Sequence, residues 1–351
     1  MANLSDLINE SPKFLITGHT GFKGYWLIHL LKQLEIEAVG VSISDPSHGS
    51  LLPSSRSGLI RDHFIDVRDY HSLLSVMEKE KPNVIVHFAA ETLVPVCAEH
   101  PSEAFSTNVM GTVNVIETAM KLSSVKVIAI STTDKVYKNE NLGLAFTEDS
   151  PLQGMDPYSG SKVAQENVVF SYKDSAAAAG KKLLTFRSGN VIGGADFSPH
   201  RLLPDYVRSM ATDSILQIRN PHATRPWQHV LDCLFGYLLA VQHAISDESF
   251  NVFNFGPVGK SLSVTQVLEI ASTISKIEIN FSPKTSQFYE AVSLDLNSAK
   301  SKIELGWNPI YSQEESVKAT ILWWKEVLAG KDHSDITKQE VANFLEGAFD
   351  E

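Results

Sequence analysis

A short apolar stretch, Lys13 to Thr17, runs straight into Gly18-His19-Thr20-Gly21-Phe22-Lys23-Gly24, and the apolar run Tyr25 to Leu31 follows at once. Strand, glycine turn and helix in that order constrain the fold more than any other stretch of the chain. The spacing is GxxGxxG. Gly18 lets the chain turn sharply, Gly21 lets backbone approach a pyrophosphate, and Gly24 lets the helix pack close to its strand. A tight turn that holds no ligand would use the same glycines. Its place at the first strand of an alternating pattern favours the dinucleotide reading.

That alternation continues. Ala38 to Ile43, His63 to Ile65, Asn83 to His87 and Val125 to Ile130 read as strands, separated by helical stretches that include one ending at Lys81 and one from Pro101 to Leu122. The pattern predicts an α/β fold with a Rossmann-type doubly wound parallel sheet. A dinucleotide-binding domain is expected over residues 1–190 and a smaller mixed α/β substrate-binding lobe mainly over 191–330, with some segments returning to the sheet. A helical tail is expected over 331–351. Asp45, about twenty residues past the glycines, stands where an acid receives an adenosine ribose, which favours NAD over NADP. His19 or Arg56 could instead meet a 2′-phosphate. Asp66 and Val67, at the next strand end, are placed to meet the adenine, and the small Ala89 and Ala90 leave room for the cofactor. His19, Thr20, Phe22, Lys23, Asn108, Tyr158 and Lys162 complete the expected cofactor set.

A formal charge of -11 over 351 residues argues against general affinity for nucleic acid or anionic membrane, both of which require a net basic face. Met1 to Glu10 carries acids with no basic and apolar leader pattern, and no apolar run approaches a membrane span, so a cytoplasmic enzyme is expected. Cys97 and Cys233 are far apart and lack metal-ligand spacing, which predicts neither a disulfide nor a metal site.

The fifth strand delivers Ser131-Thr132-Thr133-Asp134-Lys135-Val136-Tyr137 to the carboxyl edge of the sheet, where ligands of open α/β folds bind. A helix beginning near Pro157 then carries Tyr158 and Lys162 on one face. A free tyrosine titrates near ~10, so a neighbouring ammonium is needed to make this phenol a base at neutral pH. With these residues the chain resembles the extended short-chain dehydrogenase/reductase family from about Lys13 to about Trp324. Within it, the glycine turn, Thr107 to Val113, Thr133-Asp134-Lys135, Gly189 to Gly194 and Arg225-Pro226-Trp227-Gln228-His229-Val230 resemble the CDP-glucose 4,6-dehydratase branch.

The resemblance implies an internal redox cycle on a CDP-sugar with tightly held NAD. Tyr158, assisted by Thr133 and Lys162, would take the C4 hydroxyl proton as hydride passes to the cofactor. Asp134 would act as general acid on the C6 hydroxyl while C5 is deprotonated, and the hydride would return to C6. Lys135 stands where many relatives have a glutamate, and its role is left open. Asn190, Arg201, Arg219 and Arg225 are expected to hold the nucleotide diphosphate, with Glu290 near the same pocket, whereas Arg208 reads as a surface arginine. The family pattern has glutamine at Glu91 and arginine at Pro95, so one charge is added and one removed beside the site. An epimerase or other oxidoreductase of the family, and a non-catalytic dinucleotide-binding regulator, stay open as alternatives. Helices over 101–122 and 157–179 are expected to form an intersubunit bundle in a homodimer or tetramer.

Overall fold

The computed structural model describes residues 3–44, 56–246, 250–282 and 293–350. The first part of the chain runs α1 (Ser5–Glu10), β1 (Phe14–Thr17), α2 (Phe22–Gln33), β2 (Ala38–Ser42), β3 (Arg61–Phe64), α3 (Tyr70–Glu80) and β4 (Val84–His87). It continues with α4 (Val94–Glu99), α5 (Pro101–Phe105), α6 (Gly111–Lys121), β5 (Val127–Ser131), β6 (Ala145–Phe146) and α7 (Pro157–Ala178). Next come β7 (Lys182–Ser188), β8 (Asn190–Ile192), α8 (Leu202–Thr212), β9 (Leu216–Ile218), β10 (Thr224–Arg225), β11 (Trp227–His229) and α9 (Val230–Ser246). The last elements are β12 (Asn251–Phe255), β13 (Leu262–Ser263), α10 (Val264–Ser272), β14 (Ile279–Phe281), β15 (Asp295–Leu296), α11 (Ala299–Leu305), α12 (Gln313–Leu328) and α13 (His333–Asp350).

Seven parallel strands form one sheet in the order β12-β7-β5-β4-β1-β2-β3. Side chains alternate between its faces, so neighbouring residues of β1 serve different cores. Phe14 and Ile16 pack with α2, α9 and α12, while Leu15 packs with α3, α6 and α7 through Leu73, Val115 and Val169. Both faces are therefore covered, as a parallel sheet requires. Strand order reverses between β1 and β4, and the crevice at their carboxyl ends is where ligands of this architecture sit.

The order of the chain differs from its order in space at β12. Asn251–Phe255 is a segment of the 191–330 stretch that returns to the main sheet, as expected for part of that stretch, and it pairs with β7 as the outer strand. Its neighbour α9 is buried along almost its whole length against the same sheet. The expected single helix over 101–122 is interrupted by one π-helical turn, Ser106–Met110. Such turns often accompany functional sites, and Asn108, at the centre of this one, donates to the Glu91 carbonyl at 3.0 Å and to Ser161 Oγ at 2.8 Å.

The rest of the second lobe is built from two-stranded pieces, β8 with β11 and β9 with β14, and from α8, α10 and α12. The lobe is tied to the glycine-turn helix by Trp26 Nε1, which donates to the Gly194 carbonyl at 2.8 Å. A Cβ on Gly194 would lie 2.0 Å from the Trp323 ring, so only glycine allows that approach. The terminal helix α13 lies on α2, where the Tyr25 hydroxyl meets His333 Nδ1 at 2.7 Å and Thr337 Oγ1 at 3.1 Å. Among the described residues no helix is long and apolar enough to cross a membrane.

Candidate active site

The glycine turn opens onto a cleft of about 860 Å³ that runs from the carboxyl edge of the sheet into the second lobe. Gly18 has φ +71, and a Cβ there would lie 2.8 Å from the Ala89 amide nitrogen. A Cβ on Gly24 would come within 2.4 Å of the Gly18 carbonyl. Helix α2 starts at Gly21 with no side-chain cap, so its first-turn N–H groups and helix dipole are left for an anion. Thr20, Phe22, Lys23, Ser42, Ser44, Asp66, Val67, Ala89 and Ala90 line the same cleft. Asp66 accepts two guanidinium bonds from Arg68, at 2.9 and 2.6 Å, and this partner holds its carboxyl below the usual range. A dinucleotide fits this cradle: the turn has no Cβ in its way, and an uncapped helix end faces the crevice.

Two residues considered for that ligand are committed elsewhere. The His19 ring is buried under Gly40 and its Nε2 lies 2.9 Å from Asp62, so its side chain does not face the cleft. Arg56 donates to the Thr20 and Ala195 carbonyls and lies over the Tyr25 and Phe197 rings. Asn108 is fully buried and acts behind the cleft wall, by holding the loop at Glu91. Asp45 and Glu290 lie outside the described residues.

The reacting end of the cleft is set by β5 and α7. Past Ser131 the chain forms a short 3-10 turn, Asp134–Val136, capped by the Thr133 hydroxyl, which accepts from the Lys135 amide at 3.3 Å. Asp134 is 2% exposed. Its Oδ1 accepts from Thr133 Oγ1 at 3.1 Å, while its buried Oδ2 has no partner. Burial raises its pKa above the usual carboxylate range against the opposing pull of Lys135. Burial lowers the pKa of Lys135, with Arg225 adding to the effect and Asp134 opposing it. The Lys135 ammonium stands 5.8 Å from the centre of the Tyr158 ring.

Helix α7 presents Tyr158 from its first turn. Asp156 caps it by accepting from the Tyr158 amide at 2.9 Å and the Ser159 amide at 3.1 Å, with Pro157 fixing the start. Burial pushes the Tyr158 phenol up to about 12, while the neighbouring Thr133 hydroxyl and the charges of Arg201 and Lys23 draw it down. Lys162, one turn on, does not point its ammonium at that phenol. It donates to the Ser131 carbonyl at 3.2 Å and to Gln165 Oε1 at 2.9 Å, and burial, aided by Lys23, lowers it to about 7. Shared helix face is thus correct for Tyr158 and Lys162, but the charges acting on the phenol come from other elements.

The diphosphate candidates divide in the same way. Asn190, Arg201, Arg219 and Arg225 all line the cleft, and Arg208 turns away to Asp205 and the Phe197 carbonyl. Arg201 pairs with Asp196 at 3.1 Å and donates to Thr92 Oγ1 at 3.2 Å, which links the second lobe to the loop after β4. In that loop Glu91 accepts from the Thr92 and Leu93 amides at 2.9 and 3.0 Å, just ahead of α4, and Pro95 occupies the first turn of α4. Both departures from the family pattern stand at the start of one helix, an acid at its positive end and a proline where no N–H partner is needed, and both line the cleft, so the charge change lies beside the site.

Residues 15–320 match the sequence profile of the GDP-mannose 4,6 dehydratase family. The chain belongs to that family. Its similarity to the CDP-glucose 4,6-dehydratase of Salmonella typhimurium is 37% identity over 257 residues, 71% of this chain and 72% of that one. A UDP-glucose 4-epimerase of Lacticaseibacillus casei is 29% identical over 278 residues, 74% of this chain and 81% of the relative. The crystal structure of a dTDP-glucose 4,6-dehydratase of Bacillus anthracis in complex with NAD shares the fold, with TM-score 0.74 at 23% identity, covering 90% of this chain and 97% of that one.

Family motifs identify the glycine turn and the Thr133 to Lys162 centre, but not the groups that brace it. Glu166 and Arg187 form a buried ion pair, at 2.8 and 2.7 Å, directly behind the site. Glu166 also accepts from Thr132 Oγ1 at 2.6 Å, and Arg187 donates to the Tyr137 hydroxyl at 2.9 Å, so the strand-end loop is pinned on both sides of Asp134. Glu166 does carry a local signal, since it follows Lys162 by one helical turn and sits on the same face of α7. Arg187 does not, because its partner comes from another element.

Proposed function

We propose that the chain is an NAD-dependent nucleotide-sugar 4,6-dehydratase acting on CDP-glucose or a close CDP-sugar. The observation that carries this reading is the buried Asp134 carboxyl beside Thr133 and Tyr158, with one oxygen left unpaired and its pKa raised by burial. Moving hydride at C4 needs no such acid, whereas expelling a hydroxyl from C6 does. The 37% identity to a CDP-glucose 4,6-dehydratase agrees with it.

In this reading the glycine turn, Asp66, Val67, Ala89 and Ala90 hold NAD, and the engagement of His19 and Arg56 elsewhere leaves neither to favour a 2′-phosphate. Held there, NAD would supply the acceptor for the C4 hydride and its donor back to C6 within one cycle. Tyr158, beside Thr133, takes the C4 hydroxyl proton. The resulting C4 ketone acidifies C5, and Lys135, whose pKa burial lowers, removes the C5 proton. Asp134 protonates the departing C6 hydroxyl. Asn190, Arg201, Arg219 and Arg225 hold the diphosphate, and desolvation in the cleft strengthens each of these contacts.

The exposed Phe105, Met110 and Phe170 stand on α5, the π-helical turn and α7. We assign these adjacent helices to a homodimer interface, two from each subunit. The chemistry is tested by incubating the protein with CDP-glucose and following the 4-keto-6-deoxy product by mass and ultraviolet absorbance. Asp134→Asn should keep NAD affinity within about twofold and lose water elimination by a factor on the order of 10²–10⁴. Scrambling at C4 with no water loss would identify an epimerase instead.

A further inference from the structure

Arg56 has no part in the chemistry proposed for the cleft, yet its guanidinium joins the two halves of it. The residue is 5% exposed and packs over two rings, its central guanidinium carbon 5.6 Å from the centres of both Tyr25 and Phe197. Nη1 donates to the Thr20 carbonyl at 3.0 Å, and Nη2 donates to the Ala195 carbonyl. One of these carbonyls belongs to the glycine turn. The other opens the segment Ala195 to Arg201, through which the second lobe lines the cleft with Asp196, Ser198, Pro199, His200 and Arg201.

Both ends of this bridge are tied in turn. Thr20 donates through its hydroxyl to the Ser44 carbonyl at 2.8 Å and through its amide to Ser42 Oγ at 3.3 Å, so the glycine turn is held to the end of β2. At the other end, Trp26 Nε1 of α2 donates to the Gly194 carbonyl at 2.8 Å. Ala195 (φ +62) and His200 (φ +63) are both left-handed, a conformation that residues with a Cβ adopt where their surroundings impose it. The restraints are Arg56 on Ala195, Arg208 on the Phe197 carbonyl, the Phe197 ring 4.6 Å from Trp324, and Asp196, which accepts from the Ser198 amide at 3.0 Å. The same Asp196 carboxylate pairs with Arg201 at 3.1 Å. A continuous path of contacts therefore leads from Thr20 to Arg201, and Arg56 is its first link.

We propose that Arg56 is a positioning residue that couples the two sites, so that a dinucleotide on the glycine turn raises the affinity of the second lobe for a nucleoside diphosphate, and the reverse. A ligand that takes the N–H groups of the turn fixes the backbone that carries the Thr20 carbonyl. Arg56 then has a fixed anchor, and the strained segment beyond it holds Asp196 and Arg201 in one arrangement. Charge is not the means. A planar fork reaches two carbonyls at once, which an ammonium on a flexible stem does not. By linkage the gain in affinity is equal in both directions.

This inference rests on NAD at the glycine turn and a CDP-sugar at Arg201, and binding measurements separate the three. CDP is the probe, because without a sugar it lacks the group that would meet the reacting end of the cofactor. Calorimetry on the full chain stripped of nucleotide gives CDP affinity with and without saturating NAD⁺, and NAD⁺ affinity with and without CDP, for wild type, Arg56→Met and Arg56→Lys. Wild type should bind each ligand about five- to tenfold more tightly when the other is present. Arg56→Met, which keeps an apolar stem beside the two rings, should bring that factor close to one. A residue that only stabilises the fold would change both affinities and leave the factor as it was, and that outcome in Arg56→Met overturns the proposal. Arg56→Lys should not restore the factor, and should Arg56→Met not fold, a wild-type factor in Arg56→Lys contradicts the bridge. Wild-type CDP affinity that is indifferent to NAD⁺ overturns the coupling alone. Wild type that binds no NAD⁺ overturns the NAD placement, and wild type that binds no CDP overturns the CDP-sugar reading, each taking this inference with it.

Discussion

Asp134 illustrates how a single residue can be costly to the fold and necessary to the site. Its folded-state pKa lies above the unfolded value near ~3.9, so ionisation at neutral pH works against folding. Below the unfolded pKa both states are protonated and the penalty vanishes. It grows as pH rises through the interval between the two values. Asp134→Asn should therefore raise Tm at pH 7 to 8, by a few degrees, and the gain should shrink toward nothing near pH 4. A Tm that falls at neutral pH would show that the carboxylate is stabilised as an anion. The role of this residue could be read in the sequence because Thr133-Asp134-Lys135 is a local string. The direction of its pKa could not, because it depends on burial by distant segments, among them Gly189 after β7 and helix α7. The same holds for His19: its place in GxxGxxG suggests a ligand contact, but its ring is claimed by Asp62 on another strand.

At the level of elements, α7 and the strand-end loop are held by partners that differ in how visible they are in the chain. Asp156, Pro157 and Ser159 form a local cap, and the sequence places the helix start within a residue of where it lies. Asp156→Ala should lower stability by about 1 kcal/mol in urea unfolding. It should also reduce kcat more than KM rises, because Tyr158 sits in the capped turn. An unchanged kcat would mean that the first turn is positioned by packing alone. The Glu166 and Arg187 pair is more demanding. Removing one partner strands the other in the interior, and Arg187→Met should cost about 3–5 kcal/mol. The double change Glu166→Gln with Arg187→Met should recover part of that loss, and strict additivity of the two would argue against their coupling. The π-helical turn at Asn108 belongs to the same class. A helical pattern runs unbroken through it, and only the loop it grips, at Glu91, gives it a reason.

Across the whole molecule, the alternation of short apolar runs with helices determines a doubly wound sheet, and the switch between β1 and β4 places the cleft. What local pattern cannot provide is which distant segment completes that sheet. β12 follows more than sixty residues after β7, and its own stretch, Asn251–Phe255, reads equally well as part of a separate lobe. The loop at Glu91 and Pro95 combines both kinds of information: the two departures from family pattern stand at the start of α4 and also line the cleft, as their place after β4 leads one to expect. The proposed dimer depends on the outer faces of α5 and α7. Phe170→Glu should yield a monomer by light scattering at micromolar concentration, and an unchanged mass would remove α7 from the interface.

The central claim is that Asp134 and Lys135 make this centre expel water rather than merely move hydride. It is tested most directly by mass spectrometry of CDP-glucose incubated with the protein in deuterated water. A dehydratase gives a product lighter by one water and carrying one solvent deuteron at C5, and Asp134→Asn gives none. A sugar recovered at its original mass, with no deuteron taken up, would contradict the account for this substrate.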